Sequence, residues 1–418
     1  MSAGPDRIRA WTVWLLTRTL LVVLLMTVES GSFSDLNYYR ASLDDLGTNG
    51  VGDTLAEYPL PAFLLLAAPY ALLSLAGSTG GYQVLVLLLV LLLDAGFLRV
   101  LLKHAGTTIP VAAWLLATPA LGAISYARFD LVPGVLVGLA LLHLVDAPRR
   151  AGLLAVLATG LKYSPALVLP ALAAPASSRS RVVVPGAVAG IGLVAVSIAV
   201  GGWDRIVSPL AYQGDRGLQI ESVAATPAMV GWALAPGEHR IFFAPSLAWE
   251  IDGPGTDALL AVSTVVTVLL VVVLLALWTL AWRRLPDPRT GLPAVVWSTL
   301  GAISAFVVSG KVLSPQYLLW LLPAACAGLA LLDGAERRRL GRWTVALLVA
   351  ALLSHVLYPH VYGALIGEHS GGSIVVVAVL ALRNLLVVGL CVSALGAAWR
   401  TIRRVPRRPR DPEASRAS

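Results

Sequence analysis

The chain has 418 residues, 57% hydrophobic and only 13% charged, with a mean hydropathy of +0.80. A soluble domain carries about 25% charged residues, so a water-soluble enzyme is excluded. A nucleic-acid binder is excluded too, despite a net charge of +8 and a pI near 9.8, because a basic groove needs solvated surface.

What remains is a polytopic all-α membrane protein, with each span needing roughly 20 apolar residues. In chain order, apolar runs predict twelve spans near 11–29, 82–98, 109–125, 131–146, 151–161, 165–175, 182–200, 258–282, 293–309, 317–332, 343–357 and 374–399. The first run follows Arg7 and Arg9 and has no A-x-A-like cleavage site after it, so it reads as a retained helix with a cytoplasmic start. The fifth and sixth runs are too short to cross alone and read as a hairpin of partial spans. The run 59–76 is broken by Pro59, Pro61 and Pro69 and reads as a juxtamembrane or re-entrant helix pair.

Charge fixes the orientation. With 59–76 held at the outer surface, 22 basic residues fall on one side. Seven fall on the other: Arg40, Arg128, Lys162, Arg205, Arg216, Arg240 and Lys311. The positive-inside rule then puts both termini in the cytoplasm. Residues 1–399 read as one transmembrane domain with extracytoplasmic loops at 30–81, 201–257 and 358–373. Residues 400–418 read as a basic, disordered cytoplasmic tail at the anionic leaflet.

Few polar residues sit mid-span: Arg18 and Asp94, which can pair across helices, and Arg383 with Asn384. The rest gather at outer helix ends, favouring a surface site over a midplane transport path. Cys326 and Cys391 lie in apolar runs, and the six histidines show no metal-ligand spacing. No metal and no cofactor are therefore expected.

Three outer features carry candidate chemistry. Asp35, in S-D-L-N-Y-Y at 34–39 with Tyr38, is placed to act as a general base toward a hydroxyl acceptor. Ser34 or Asp35 is equally suited to cap the next helix. Lys162 in K-Y-S-P and Lys311 in K-V-L-S-P each precede a Ser-Pro pair, which reads as a helix cap followed by a first helical residue. A lysine beside a helix N-terminus suits a phosphate, while a lysine that simply snorkels to the interface looks the same in sequence. Arg128 and Asp130 either neutralise each other or line the cavity of Asp35. Arg216, Glu221, Gln316 and His355 add polar groups on the same face, the last beside Tyr358 and His360. A base, several cations and helix N-termini at one membrane face suit glycosyl transfer from a lipid phosphate to a hydroxyl.

Several segments in order carry a resemblance: S-D-L-N-Y-Y, E-Y-P-L-P at 57–61, A-R-F-D-L at 127–131, L-K-Y-S-P at 161–165, R-G-L-Q-I-E-S at 216–222 and K-V-L-S-P-Q-Y-L-L-W-L-L-P at 311–323. With them the chain resembles the bacterial polyprenol-phosphate-mannose-dependent mannosyltransferases of glycosyltransferase family 87, of actinobacterial type and GT-C fold. The resemblance implies Asp35 as catalytic base and juxtamembrane helices in the first outer loop. It implies inversion at the anomeric carbon, and a second acidic position that falls on Asp130. The chain departs from commoner members in E-Y-P-L-P and in R-F-D.

The expected roles follow. Asp35 is catalytic. Lys162, Lys311 and Arg216 hold the donor phosphate. Asp130, Arg128, Gln316, Tyr38, Glu221 and His355 position sugar or acceptor. The partners are a polyprenyl-phosphate sugar donor, a glycolipid or glycan acceptor of the cell envelope and membrane lipids, with no nucleic acid and no obligate protein partner. The site faces away from the cytoplasm of a bacterial plasma membrane. A transporter or lipid-linked sugar flippase is the rival reading, and a GT-C arabinofuranosyl or glucosyl transferase is another.

Overall fold

The computed structural model describes residues 5–214, 216–235, 237–367 and 374–406. Its helices are α1 Pro5–Thr27, α2 Ser34–Asp44, α3 Leu46–Asp53, α4 Leu60–Leu75, α5 Tyr82–His104, α6 Ile109–Leu121, α7 Ile124–Ala127, α8 Leu131–His143, α9 Pro148–Leu161 and α10 Leu169–Ala173. They continue with α11 Arg179–Gly201, α12 Asp204–Gly214, α13 Thr226–Leu234, α14 Thr256–Arg284, α15 Pro288–Ser309, α16 Leu322–Leu331, α17 Gly334–His355, α18 Tyr362–Ile366 and α19 Ile374–Arg404. The strands β1 Arg240–Ala244 and β2 Ala248–Asp252 pair antiparallel, in a register that sets Phe242 opposite Glu250.

Among the described residues, seven helices are long and apolar enough to cross a membrane: those built on α1, α5, α11, α14, α15, α17 and α19. Five shorter apolar helices span 10–17 residues. At 1.5 Å per residue, a helix of 13 residues such as α6 or α8 covers about 20 Å, against a hydrocarbon core of about 30 Å. They are tolerable because they are packed inside protein. α15 is the central helix, with 78% of its apolar window buried, whereas α14 at 11% and α11 at 17% present their sides outward.

The run 59–76 is one helix, α4, and not a pair: Pro61 lies in its first turn, where a missing N–H costs nothing, and Pro69 is carried inside it. The segment 201–257 is likewise no open loop but folds into α12, α13 and the hairpin. At the C-terminus α19 continues to Arg404, so 400–404 is helical, while 407–418 lies outside the described residues, as does 368–373.

The two ends of the bundle differ in character. At one end Arg289 meets Asp146 at 3.7 Å and Arg404 meets Glu336 at 3.5 Å. There the N–H groups of Ala176 and Ser177 donate to the carbonyls of Leu285 and Pro286. The arginine-rich connections thus meet at one rim, and the long polar segments occupy the other. Between the ends, the buried Arg18 Nε reaches Asp94 Oδ2 at 2.9 Å. Asp94 also accepts from Trp114 Nε1 at 2.7 Å and the Tyr126 hydroxyl at 2.6 Å, while Arg18 donates to the Leu115 carbonyl. This satisfied network ties α1, α5 and α6 together. Gly134 allows a close approach: a Cβ there would lie 2.1 Å from the Leu319 carbonyl oxygen.

Candidate active site

Asp35 stands in the first turn of α2, and that helix is fastened from below by aromatic rings. Tyr39 and Tyr58 each meet Phe129 edge-on, with centroids 6.3 and 5.2 Å away, and their hydroxyls lie 3.3 Å apart. Phe129 sits between Arg128 and Asp130, so this packing brings the early aspartate to the pair the sequence singles out.

The pair does not neutralise itself. Arg128 Nε lies 2.8 Å from Asp35 Oδ2, and the guanidinium also donates to the Ser32 carbonyl at 3.3 Å. Asp130 turns the other way, accepting on Oδ1 from Lys162 Nζ at 2.7 Å and Trp320 Nε1 at 3.0 Å. The reason is local. Residues 127–131 bend between α7 and α8, with Arg128 extended at φ −131°, ψ 143°, so side chains two apart are not obliged to face each other.

Neither Ser34 nor Asp35 caps α2. The 3-10 turn Ser30–Phe33 runs straight into it, and the Ser34 N–H already donates to Gly31. Ser164 and Ser314 make no capping bonds either. Both are followed by 3-10 turns (Ser164–Val168 and Pro315–Trp320), in which i→i+3 bonds from Ala166 to Tyr163 and from Tyr317 to Ser314 engage the amides first.

Lys162 follows the last residue of α9, and its ammonium lies 5.0 Å from the Trp320 ring centroid, 5.4 Å from that of Tyr317 and 5.5 Å from that of Phe129. Tyr317 and Trp320 are stacked at 4.3 Å. Such a cation framed by aromatic faces is held in place with little freedom. Gln316 lies on the same turn, half-buried, beside this group.

The far wall comes from 201–257. Arg216 donates to the Ser246 carbonyl at 2.9 Å and stands 5.0 Å from the Tyr212 ring centroid, and its charge acts on Asp35. Its Nε is buried without a partner. Lys311 does not join the cleft as a loose cation: Nζ donates to the carbonyls of Gly214 at 3.0 Å and Arg216 at 3.3 Å, fixing the backbone that carries Arg216. Gly217 is required there, since a Cβ would lie 2.3 Å from Glu250 Oε2.

About one third of the Asp35 side chain is accessible. Burial of the rest raises its pKa above the ordinary aspartate value, while Arg128, Lys162 and Arg216 pull the other way and Asp130 reinforces the rise. Burial also raises Glu57, against the pull of Tyr38 and Arg205. Glu57 and Tyr38 thus form a second polar pair on the side of Asp35. Sequence reading places Glu57 only in a motif and gives it no role; its proximity to Asp35 depends on α3 folding back.

Two expected positioning residues engage other partners. Glu221 Oε2 pairs with Arg383 Nη2 of α19 at 3.2 Å, and burial pushes Glu221 up to about 7 although Arg383 opposes it. Asn384 donates to the Glu221 and Ser222 carbonyls, so this group fastens the 217–226 segment to α19. His355 Nε2 lies 2.8 Å from Glu29 Oε1 and not on Asp35.

The sequence profile of glycosyltransferase family 87 matches residues 58–315. The matched part contains Arg128, Asp130, Lys162, Arg216, Glu221 and Lys311, and leaves Asp35, Tyr38, Gln316 and His355 outside it. No curated protein and no solved structure matches the chain.

Proposed function

Because this chain belongs to glycosyltransferase family 87, whose profile covers more than half of it, we propose that it moves a sugar, mannose, from a polyprenyl-phosphate donor to a hydroxyl of a cell-envelope glycolipid or glycan. The reaction takes place at the extracytoplasmic membrane face. The observation that carries this reading is the partly open Asp35 carboxylate, with Arg128 2.8 Å away and the charges of Lys162 and Arg216 acting on it.

Asp35 accepts the proton of the acceptor hydroxyl as the acceptor oxygen bonds to the anomeric carbon. The bond from that carbon to the phosphate oxygen breaks, and its electron pair leaves with polyprenyl phosphate. Attack opposite the leaving group inverts the anomeric configuration. A phosphate monoester leaves as a stable anion, so it needs cations more than an acid, and Arg216 and Lys162 supply them. Asp130 fixes Lys162 and Trp320 together. Lys311 serves by holding the carbonyls of 214 and 216. A raised pKa makes Asp35 a stronger base than a solvated aspartate.

The test incubates the purified protein in nanodiscs with radiolabelled polyprenyl-phosphate mannose and a cell-envelope lipid extract. Matched arms carry glucose and arabinofuranose donors. A labelled glycolipid from the mannose donor, absent with Asp35→Asn, is the expected result. Product from another donor alone reassigns the sugar, and movement of donor across vesicles without a new glycosidic bond overturns the reaction.

A further inference from the structure

We propose that Glu29, His355 and His360 form a binding site for a zinc-like divalent cation, at the end of the bundle that carries Asp35. Glu29 follows α1, and the two histidines close α17 and the widened turn at 356–360. The sites are 326 residues apart in the chain, and the fold brings them together. His355 Nε2 lies 2.8 Å from Glu29 Oε1, His360 Nε2 lies 3.6 Å from the same oxygen, and the two Nε2 atoms are 3.3 Å apart.

The 3.3 and 3.6 Å edges match ligand spacing, and the 2.8 Å edge is a hydrogen-bond distance that a bound ion would lengthen slightly. Zinc bound tetrahedrally at about 2.0–2.2 Å sets its ligand atoms about 3.3 Å from each other, and the three observed edges bracket that value. Three potential ligand atoms converge on one point. One cation satisfies all three at once. Two imidazoles and one carboxylate suit a borderline cation such as zinc, and not magnesium, which prefers oxygen ligands.

The surroundings support a built site. Glu29 is 1% exposed, and its second oxygen accepts the Ala123 N–H at 3.0 Å, which orients the carboxylate as outer partners orient metal ligands. Gly122 supplies the room for His355: it has φ +85°, and a Cβ there would lie 2.3 Å from the imidazole. His360 is 40% exposed, so the fourth tetrahedral position opens outward and admits water. The ion would fasten the end of α17 to the segment that runs through Ser32 to Asp35. Arg128 and Tyr358 already hold that segment, at the carbonyls of Ser32 and Gly31.

The experiment is a zinc titration of the full chain in detergent, after chelator treatment, in competition with a chromophoric chelator, with magnesium titrated in parallel. The expected result is one zinc per chain, with magnesium unable to displace it. His360→Ala, which alters the most exposed ligand, weakens zinc binding by at least about 100-fold, beyond the loss that an outer partner causes. His104→Ala, at the opposite rim, leaves it unchanged. Zinc bound equally well by His360→Ala, or no stoichiometric zinc in a folded wild-type chain, overturns the proposal. The readout is metal content, so it stands or falls apart from the sugar-transfer reading.

Discussion

Asp130 and Lys162 form a 2.7 Å ion pair where α8 and α9 meet, with the Asp130 side chain 3% exposed and that of Lys162 20% exposed. Breaking such a pair from one side leaves an uncompensated buried charge, a loss of about 3 kcal/mol or more. Lys162→Met is therefore expected to lower thermal stability in detergent strongly. Adding Asp130→Asn to it recovers part of the loss, because the stranded charge is gone. A double variant as unstable as the sum of the singles contradicts the pairing.

Asp35→Asn keeps the shape of the side chain and removes the base. Turnover is expected to fall by about 10²–10⁴-fold, the range of general acid–base catalysis. The melting temperature should fall as well, because the buried Arg128 loses its carboxylate partner, so turnover is compared on folded protein at a temperature below both transitions. Single-turnover assays with labelled donor measure the first quantity. Near-normal turnover removes Asp35 from the reaction.

The pH profile follows from the same carboxylate. Burial raises Asp35 above its ordinary 3.8, and a protonated Asp35 accepts no proton. The value of kcat/KM should therefore fall as pH drops through that raised value, placing the acid limb above the usual aspartate range. Arg128→Gln deletes the nearest cation, which holds the value down, so the limb moves to higher pH still. A limb that stays put, or moves to lower pH, contradicts the ion pair.

Gly134→Ala places a methyl group 2.1 Å from the Leu319 carbonyl oxygen, a backbone atom that cannot rotate away. The turn 315–320 must shift, and overpacking of this kind costs about 1–3 kcal/mol. Because Trp320 rides on that turn, KM for donor should rise as well. Calorimetry in detergent and steady-state kinetics read the two effects, and an unchanged Tm contradicts the close approach.

The sequence makes the membrane bundle legible through its composition, and the distribution of arginines marks the rim where Asp146, Arg289, Glu336 and Arg404 meet. Arg18 and Asp94 are also legible as a pair, because a lone cation and a lone anion inside apolar helices have few other partners. The partners of Arg128 and Asp130 are not, since they depend on a bend between two short helices. The twelve runs of apolar residues show the fifth and sixth to be short, but not that the helices at Ile109–Leu121, Leu131–His143 and Pro315–Leu331 are short as well. Apolar composition reports burial in lipid and burial in protein alike. Glu29 escapes for a different reason: metal-ligand spacing is read along the chain, and its partners stand at the other end of it.

The site is assembled from two kinds of support. Asp130, Lys162 and Trp320 sit at the ends of short helices locked within the bundle, while Tyr212 and Arg216 belong to the 201–257 segment that lies against it, held by Lys311, Ser246 and Glu250. A residue inserted into the β1–β2 hairpin would displace Arg216 and leave every span untouched. The helix ends that carry Asp130 and Lys162 and the segment that completes the phosphate site are therefore free to diverge at different rates, so the donor can change in a descendant whose base stays fixed.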